Sequence, residues 1–323
     1  MVIGLTLGKY APLTKGHMYV FDEALKQCDK LIVLVYDAPS TTNIPLYKRA
    51  NWIRMLYPQI EVIEGHNSPE VVGNTNGIKL LHEHYVKYKV PCKNINKFFS
   101  SEFYGKHMSD FLGCENIVVD RDRNVIPISS TMVRSNPLKY KKFVDPIVYR
   151  DLIKNVVFVG APSTGKTTLC SLLANEYNTV WQPEYGREYW AKNQIDRRLT
   201  IEQLVEIAKG HIEREEESLQ HSNKFLFTDT NAITTYLFSK YYHGRVHLDL
   251  KLLAMKAETR YDHVFLCDTD IPYDNTWDRS GEANRQDFQS WFIDELFIRK
   301  IPFTLISGTL QQRIQSVRNI LSK

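Results

Sequence analysis

The sequence predicts an α/β protein built from two doubly wound parallel-sheet domains. Three observations carry this expectation: β-rich runs alternate with helix-period segments, the alternation restarts at mid-chain, and each half opens with an apolar run that passes through a glycine loop into a helical pattern. In the first half the strand candidates are residues 2–7, 31–36, 60–63, 97–100 and 117–119, separated by helical patterns such as 18–27, 46–56 and 77–89. In the second half the strands fall at 155–159, 224–228, 264–267 and 302–306, with a short one at 179–181 and helices starting near Lys166, Ile201, Thr230 and Asn284. At 323 residues the chain exceeds what one core usually serves, and domains of about 150 residues are the default. The domains are therefore placed at 1–150 and 151–323, with the junction near residues 149–154, after the polar, proline-containing stretch 137–146.

Composition narrows the function classes. A hydrophobic content of 43% with 24% charged residues excludes a disordered or low-complexity chain. The net charge of +4 comes without a dense Lys/Arg tract, so extended nucleic-acid binding has no electrostatic support and small phosphates suffice as anionic partners. Five widely spaced cysteines, Cys28, Cys92, Cys114, Cys170 and Cys267, never form Cys-x-x-Cys, which argues for free thiols in a reducing, cytoplasmic setting. No apolar run approaches the roughly 20 residues that span a bilayer. The acidic run 213–217, following apolar positions at helical spacing from Ile201 to Ile212, reads as a solvated helix face.

The mid-chain junction carries the strongest local signal. Gly160-Ala161-Pro162-Ser163-Thr164-Gly165-Lys166-Thr167-Thr168 follows the apolar run 156–159 and opens a helical pattern, the context a phosphate-binding P-loop requires. Backbone N–H groups would cradle ATP, Lys166 would reach its β/γ phosphates, and Thr167 would ligate magnesium. Asp229, at the end of the strand 224–228, is placed as the carboxylate that holds the metal; its alternative is an N-cap for a helix beginning at Thr230. Glu184, after the short strand 179–181, is the candidate general base toward a substrate hydroxyl, with anchoring of the sugar as its alternative. Arg279 is the candidate lid arginine over the transferred phosphoryl group, with Arg285 as substitute.

At the N-terminus, Gly8-Lys9-Tyr10-Ala11-Pro12-Leu13-Thr14-Lys15-Gly16-His17 is a second strand-to-helix cradle. Gly8 and Gly16 permit close approach, Thr14 and His17 face the cradle, and His17 can donate to a phosphate oxygen as charge develops. Ile128-Ser129-Ser130-Thr131-Met132-Val133-Arg134 adds hydroxyl donors and an arginine one turn into another helix start. Lys9, Arg49 and either Arg121 or Arg123 are further phosphate partners. Tyr10 and Trp52 are candidates to stack on a base or pyridinium, with a buried core aromatic as the alternative for Trp52. His82 and His84, two apart, and His243 and His247, separated by Gly244, are poor metal pairs.

The paired N-terminal motifs resemble the nucleotidyltransferase superfamily with the H/T-x-G-H loop, in particular nicotinamide mononucleotide (NMN) adenylyltransferases. With the P-loop, Glu184-Tyr185-Gly186-Arg187-Glu188 and Thr228-Asp229-Thr230-Asn231, the whole chain resembles the NadR-type bifunctional family. The resemblance implies an N-terminal nucleotidyltransferase Rossmann-like domain that adenylylates NMN with ATP to NAD and pyrophosphate, and a C-terminal P-loop kinase domain that phosphorylates ribosylnicotinamide to NMN. It also implies ATP and Mg2+ as cofactors and Arg49, Trp52, Asn76, Tyr185 and Arg187 as substrate-binding residues. Ile78 stands where the family has a Trp near the nicotinamide, and Asn231 where an Asp is common. The first strand begins at Val2, so a DNA-binding helix-turn-helix of the kind some members carry is not expected. Partners are then small molecules, with no nucleic acid and no membrane, and homo-oligomerisation is left open. Three rivals share the phosphate machinery: an NAD or ATP sensor without turnover, an aminoacyl-adenylate enzyme, and a transferase and kinase pair acting on other acceptors such as a pantetheine phosphate or a deoxynucleoside.

Overall fold

A computed structural model describes residues 1–90, 94–102, 104–195, 199–274 and 284–322. The chain divides into two compact units, Met1–Leu152 and Ile153–Lys323. The first unit runs β1 (Ile3–Gly8), α1 (Lys15–Leu25), β2 (Lys30–Tyr36), α2 (Leu46–Leu56), β3 (Glu61–Gly65), α3 (Asn76–Lys89), β4 (Lys97–Ser100), α4 (Gly105–Leu112), β5 (Glu115–Val118), α5 (Ser130–Ser135) and α6 (Pro146–Leu152). Its five strands pair in parallel in the order β3-β2-β1-β4-β5. The reversal of strand order lies between β1 and β4, where α/β sheets open a crevice at their carboxyl ends. Leu5, Ile32, Leu34, Val86, Phe98 and Met108 form the core on one face of this sheet.

The second unit runs β6 (Lys154–Val159), α7 (Lys166–Glu176), β7 (Trp181–Gln182), α8 (Tyr185–Asn193), α9 (Ile201–His221), β8 (Phe225–Asp229), α10 (Ala232–His243), α11 (Leu248–Lys256), β9 (His263–Cys267), α12 (Arg285–Ile298), β10 (Thr304–Ile306) and α13 (Leu310–Leu321). These strands are also all parallel, in the order β10-β9-β6-β8-β7. Strand β6 shows why its sequence reads as an unbroken apolar run. Val157 and Val159 pack against Ile233, Phe288 and Phe292 on one face, while Val156 and Phe158 pack against Leu169, Leu173 and Val317 on the other. Both faces are covered by helices, so neither needs polar side chains.

Two local expectations change. Helix α10 starts at Ala232, and its cap is Asn231, whose side chain accepts from the N–H groups of Ile233 and Thr234. Asp229 therefore belongs to the strand end and does not cap the helix. The acidic run on α9 is not uniformly solvated either. Glu215 is fully buried and accepts from Asn155 Nδ2, from Arg260 Nε at 2.9 Å and from the Tyr261 hydroxyl at 3.3 Å. Burial pushes its carboxyl up, with the Arg260 charge opposing. A run of five charges hid a one-residue inward face, because the acidic pattern does not register which position of a helical turn meets the sheet.

Candidate functional site

In the first unit β1 hands over to α1 through Lys9–Leu13, and Thr14 caps the helix in extended conformation. The Thr14 backbone N–H donates to His17 Nδ1 at 3.1 Å, and the Thr14 hydroxyl lies 3.1 Å from the same nitrogen. Burial pushes the imidazole down to about 4, with the nearby Arg123 charge adding to the effect, so the ring is neutral at pH 7. Since Nδ1 accepts, the hydrogen-bond network assigns the proton to Nε2, which is left as a donor. The Tyr10 ring braces the imidazole edge-on, with centroids 5.0 Å apart, and is itself only 3% exposed. It steadies His17 from the wall of the cavity that both residues line.

Helix α5 docks on this loop from more than a hundred residues away in sequence. The Ser130 hydroxyl donates to the Pro12 carbonyl at 2.9 Å, and Arg134 donates to the Ala11 carbonyl and, at 3.2 Å, to Thr131 Oγ1. Ser129 caps α5 by accepting from Met132 N–H at 3.2 Å. Gly8, Lys9, Gly16, His17, Ser129–Thr131 and Arg134 line one cavity of about 390 Å³, a volume suited to a nucleotide. Lys9 also donates to Thr41 Oγ1 at 3.0 Å, which fixes its ammonium at the wall.

In the second unit the loop after β6 takes backbone conformations that few residues tolerate. Gly160 has φ 129° and Gly165 has φ 82°, and a Cβ at position 160 would sit 2.7 Å from the Cys267 carbonyl oxygen. Lys166 Nζ donates to the carbonyls of Gly160 at 3.1 Å and Ala161 at 2.9 Å, with Thr164 Oγ1 at 3.5 Å. The Thr164 hydroxyl is turned inward to the Ala161 carbonyl, whereas Thr167 and Thr168 on the first turn of α7 are exposed. Thr167 donates to Asp229 Oδ2 at 2.5 Å, which joins the helix start to the end of β8. Asp229 is 1% exposed, and its Oδ1 has no hydrogen-bond partner among the described residues. A threonine hydroxyl beside an orphaned carboxylate oxygen at a phosphate loop fits magnesium, which takes one or two protein oxygens together with substrate phosphates. Glu184 caps α8 in extended conformation, next to Tyr185, whose ring packs on Gly210 and beneath the Arg214 guanidinium, 4.0 Å from its centroid. Arg187 lies exposed on the same short helix.

Comparison with known proteins matches this layout. A cytidylyltransferase-like family model matches residues 5–136 and an AAA domain model matches residues 155–313. The trifunctional NAD biosynthesis/regulator protein NadR of Escherichia coli (strain K12) is 26% identical over 324 residues, covering 94% of this chain and 78% of the relative. The protein of the same name from Salmonella typhimurium is 28% identical over 323 residues, with coverage of 93% and 78%. The chain is NadR-like. The same fold occurs in a NadR protein crystallised with NAD and AMP-PNP and in one crystallised with NR, each at a TM-score of 0.57 and 22% identity over 99% of this chain and 95% of theirs. The two sheets are thus a cytidylyltransferase-like domain and a P-loop kinase-like domain.

Several expected site residues of the NadR-like chain have other work. Arg49 is 1% exposed, and its guanidinium donates to the carbonyls of Lys9 at 2.5 Å, Tyr36 at 2.8 Å and Ile44 at 3.0 Å. It ties the loops after β1 and β2 together and does not line the cavity. Trp52 is 1% exposed and donates to Asp151 Oδ2 at 2.8 Å, so it belongs to the core. Asn76 is the exposed first residue of α3, while Ile78, Lys79 and His82, which share a face of that helix further along, reach the cavity. Of the two alternative arginines, Arg123 lines the cavity. Arg279 lies outside the described residues. Arg285, expected as its substitute, is 5% exposed and donates to the carbonyls of Ile271 at 2.9 Å and Ser163 at 2.8 Å, so it braces the phosphate loop.

Two further braces escaped the sequence reading. Gln289 accepts from Ala161 N–H at 2.8 Å and donates to the Cys267 carbonyl at 3.0 Å. Arg313 donates to the carbonyls of Thr164 and Gly308, both at 2.9 Å, and Asp268 at 3.2 Å, and it pairs with Asp270. Neither belongs to a motif, and only the closure of α12 and α13 onto the sheet brings them to the loop. Among the described residues, no helix is long and apolar enough to cross a membrane.

Proposed function

We propose that this chain is a bifunctional NAD salvage enzyme that phosphorylates ribosylnicotinamide with ATP to NMN and adenylylates NMN with ATP to NAD and pyrophosphate. One observation carries the reading: in each unit, signature residues remote in sequence converge on a single anion cradle, His17 with Arg134 in the first and Thr167 with Asp229 in the second. The names of the NadR relatives and the ligands of the crystallised NadR proteins support the choice of substrates.

In the adenylyltransferase unit, the NMN phosphate oxygen attacks the α-phosphorus of ATP in line, the bond to the β-phosphate oxygen breaks, and pyrophosphate leaves with the electron pair. No covalent intermediate on the protein is required. His17 donates Nε2–H to the phosphoryl oxygens as charge builds, and it does so as a ring that is neutral at pH 7. Lys9, Ser130, Thr131 and Arg134 hold the remaining phosphate charge, and the cavity positions the two reactants.

In the kinase unit, the ribose hydroxyl oxygen attacks the γ-phosphorus, Glu184 takes the hydroxyl proton, and ADP leaves. Lys166 shifts from the Gly160 and Ala161 carbonyls to the β/γ phosphates. Thr167 and Asp229 would hold magnesium, which supplies charge neutralisation on those phosphates. Tyr185 and Arg187 are assigned to the acceptor.

The test is the purified chain with ATP and magnesium, offered NMN, ribosylnicotinamide or neither, with NAD, ADP and pyrophosphate quantified. NAD and stoichiometric pyrophosphate with NMN, and ADP and NMN with ribosylnicotinamide, support the reading. Nucleotide binding without any product would leave a sensor in its place.

A further inference from the structure

The nucleotide cavity of the first unit has a wall that the phosphate chemistry does not use. It is built from α3 and the start of α4, and Ile78, Lys79, His82, His107 and Met108 line it. On α3, His82 stacks on Tyr36 at the end of β2, with ring centroids 5.7 Å apart and planes 13° from parallel, and its Nε2 lies 2.9 Å from the Val71 carbonyl oxygen. This wall therefore reaches the β2–β3 side of the sheet, whereas α5 and its clamp follow β5 at the other edge. Two nucleotides must share the cavity with their phosphates meeting at His17. Since the α5 clamp takes the ATP phosphates, the purine runs on toward β5 and the base of the acceptor falls to the α3 wall.

A histidine–carboxylate pair joins the two helices of this wall. His107 Nδ1 on α4 is 3.1 Å from Glu83 Oε1 on α3, and the two side chains are 18% and 12% exposed. A carboxylate only accepts, so the network assigns a proton to Nδ1, and the neutral ring keeps Nε2 as an acceptor. That nitrogen has no hydrogen-bond partner among the described residues, and the residue lines the cavity. Stability explains the pair poorly, because apolar side chains of similar volume serve a core as well or better. As an orienting carboxylate, however, Glu83 fixes which imidazole nitrogen a ligand meets.

We infer that His107 is a specificity-determining residue of the adenylyltransferase unit and Glu83 its positioning residue: Nε2 accepts a hydrogen bond from the carboxamide NH2 of the acceptor's pyridine ring, and the pair rejects an acceptor that carries a carboxylate there. A carboxylate would set its lone pairs against that of Nε2, with the Glu83 charge behind the ring. Lys79, one turn before Glu83 on the same wall, is the cation that would favour the carboxylate, so removing the Glu83 charge should release that preference. The inference rests on the adenylyltransferase reading above.

The test compares NMN with nicotinic acid mononucleotide as acceptors for the full chain, in the wild type, His107→Leu and Glu83→Gln, at about pH 8.5, above the ordinary imidazole range. The wild type should prefer NMN by about tenfold or more in kcat/KM. His107→Leu should raise the KM for NMN about tenfold, with kcat within about threefold, and leave the KM for the acid unchanged or lower. Glu83→Gln, whose amide oxygen still accepts from Nδ1–H, should keep the KM for NMN within about threefold and raise kcat/KM for the acid by on the order of tenfold. Circular dichroism and ADP formation in the other unit serve as folding controls. A wild type that uses both acceptors equally, or equal shifts for both acceptors in either variant, would overturn the inference and leave the adenylyltransferase reading standing. So would a fall in the preference for ATP over inosine triphosphate with the acceptor preference intact, which would move the contact to the purine. Should the wild-type chain join neither acceptor to ATP, that reading fails; calorimetric binding of the two acceptors then decides His107, since equal affinities in the wild type or an unchanged ratio in His107→Leu refutes the role.

Discussion

Arg313→Met should unfold the kinase unit's phosphate loop while leaving the first unit's chemistry in place. The guanidinium is 2% exposed and serves three carbonyl oxygens, those of Thr164, Gly308 and Asp268, as well as the Asp270 carboxylate. Hydrogen bonds from a charged donor contribute about 1.5–3 kcal/mol each, so the three carbonyls alone set an upper range of about 4.5–9 kcal/mol. That sum overshoots. The Asp270 side chain is 32% exposed and recovers water when its partner goes, and the contributions are not additive, so a loss of about 4 kcal/mol is expected, within the range for breaking a buried pair. Against a domain stability of about 5–15 kcal/mol this is large but survivable. Arg313→Lys should lose nearly as much, because one ammonium cannot span acceptors on three strand and loop ends. The assay is urea unfolding of the full chain alongside ADP and NAD formation. A loss below about 1 kcal/mol, or full ADP formation in a folded Arg313→Met chain, would refute the argument that residues outside the motif hold the loop.

Two other outcomes follow from burial. Arg49→Met should cost about 3 kcal/mol of stability through the orphaned carbonyls of Lys9, Tyr36 and Ile44, with the KM for NMN of the folded fraction unchanged; a raised KM at wild-type stability would return Arg49 to the substrate. Acidification should destabilise the chain through His17 and His211, both pushed down to about 4 by burial from an ordinary value of 6.5. The unfolded chain binds these protons first, so stability present above pH 6.5 is lost as pH falls toward 4 and levels off below, by on the order of 3 kcal/mol for the fully buried His211. Urea midpoints from pH 7.5 to 4 measure it, and His211→Leu should flatten part of the slope; a slope unaffected by that substitution would contradict the assignment.

What could be read from the sequence was what is local. A strand, a glycine loop and a helix start are contiguous, so Lys166, Thr167, Thr14 and His17 could be placed by spacing alone, and the strand ending at Asp229 delivers its carboxylate to Thr167 because β8 neighbours β6. Arg49 and Trp52 misled for a physical reason: a cation and an aromatic near a phosphate loop look like ligand contacts, but whether α2 turns them to the cavity or to the core depends on packing that spacing does not encode. Asn76 failed by its place on a helical turn, since Ile78, Lys79 and His82 lie on the face that reaches the cavity. Gln289 and Arg313 carried no sequence signal, since each is one polar residue among several on its helix and reaches the phosphate loop, 128 and 149 positions away, only through tertiary closure. Glu215 was hidden among its exposed neighbours in the same way.

The central claim is that two separate cradles on one chain act in succession on a pyridine nucleotide precursor. Parallel assays of Lys166→Ala and His17→Ala test it most directly, with circular dichroism to establish folding. Lys166→Ala should lose phosphorylation of ribosylnicotinamide and keep NAD formation from NMN, and His17→Ala should do the reverse. A folded variant in which either single substitution abolishes both activities would contradict the account.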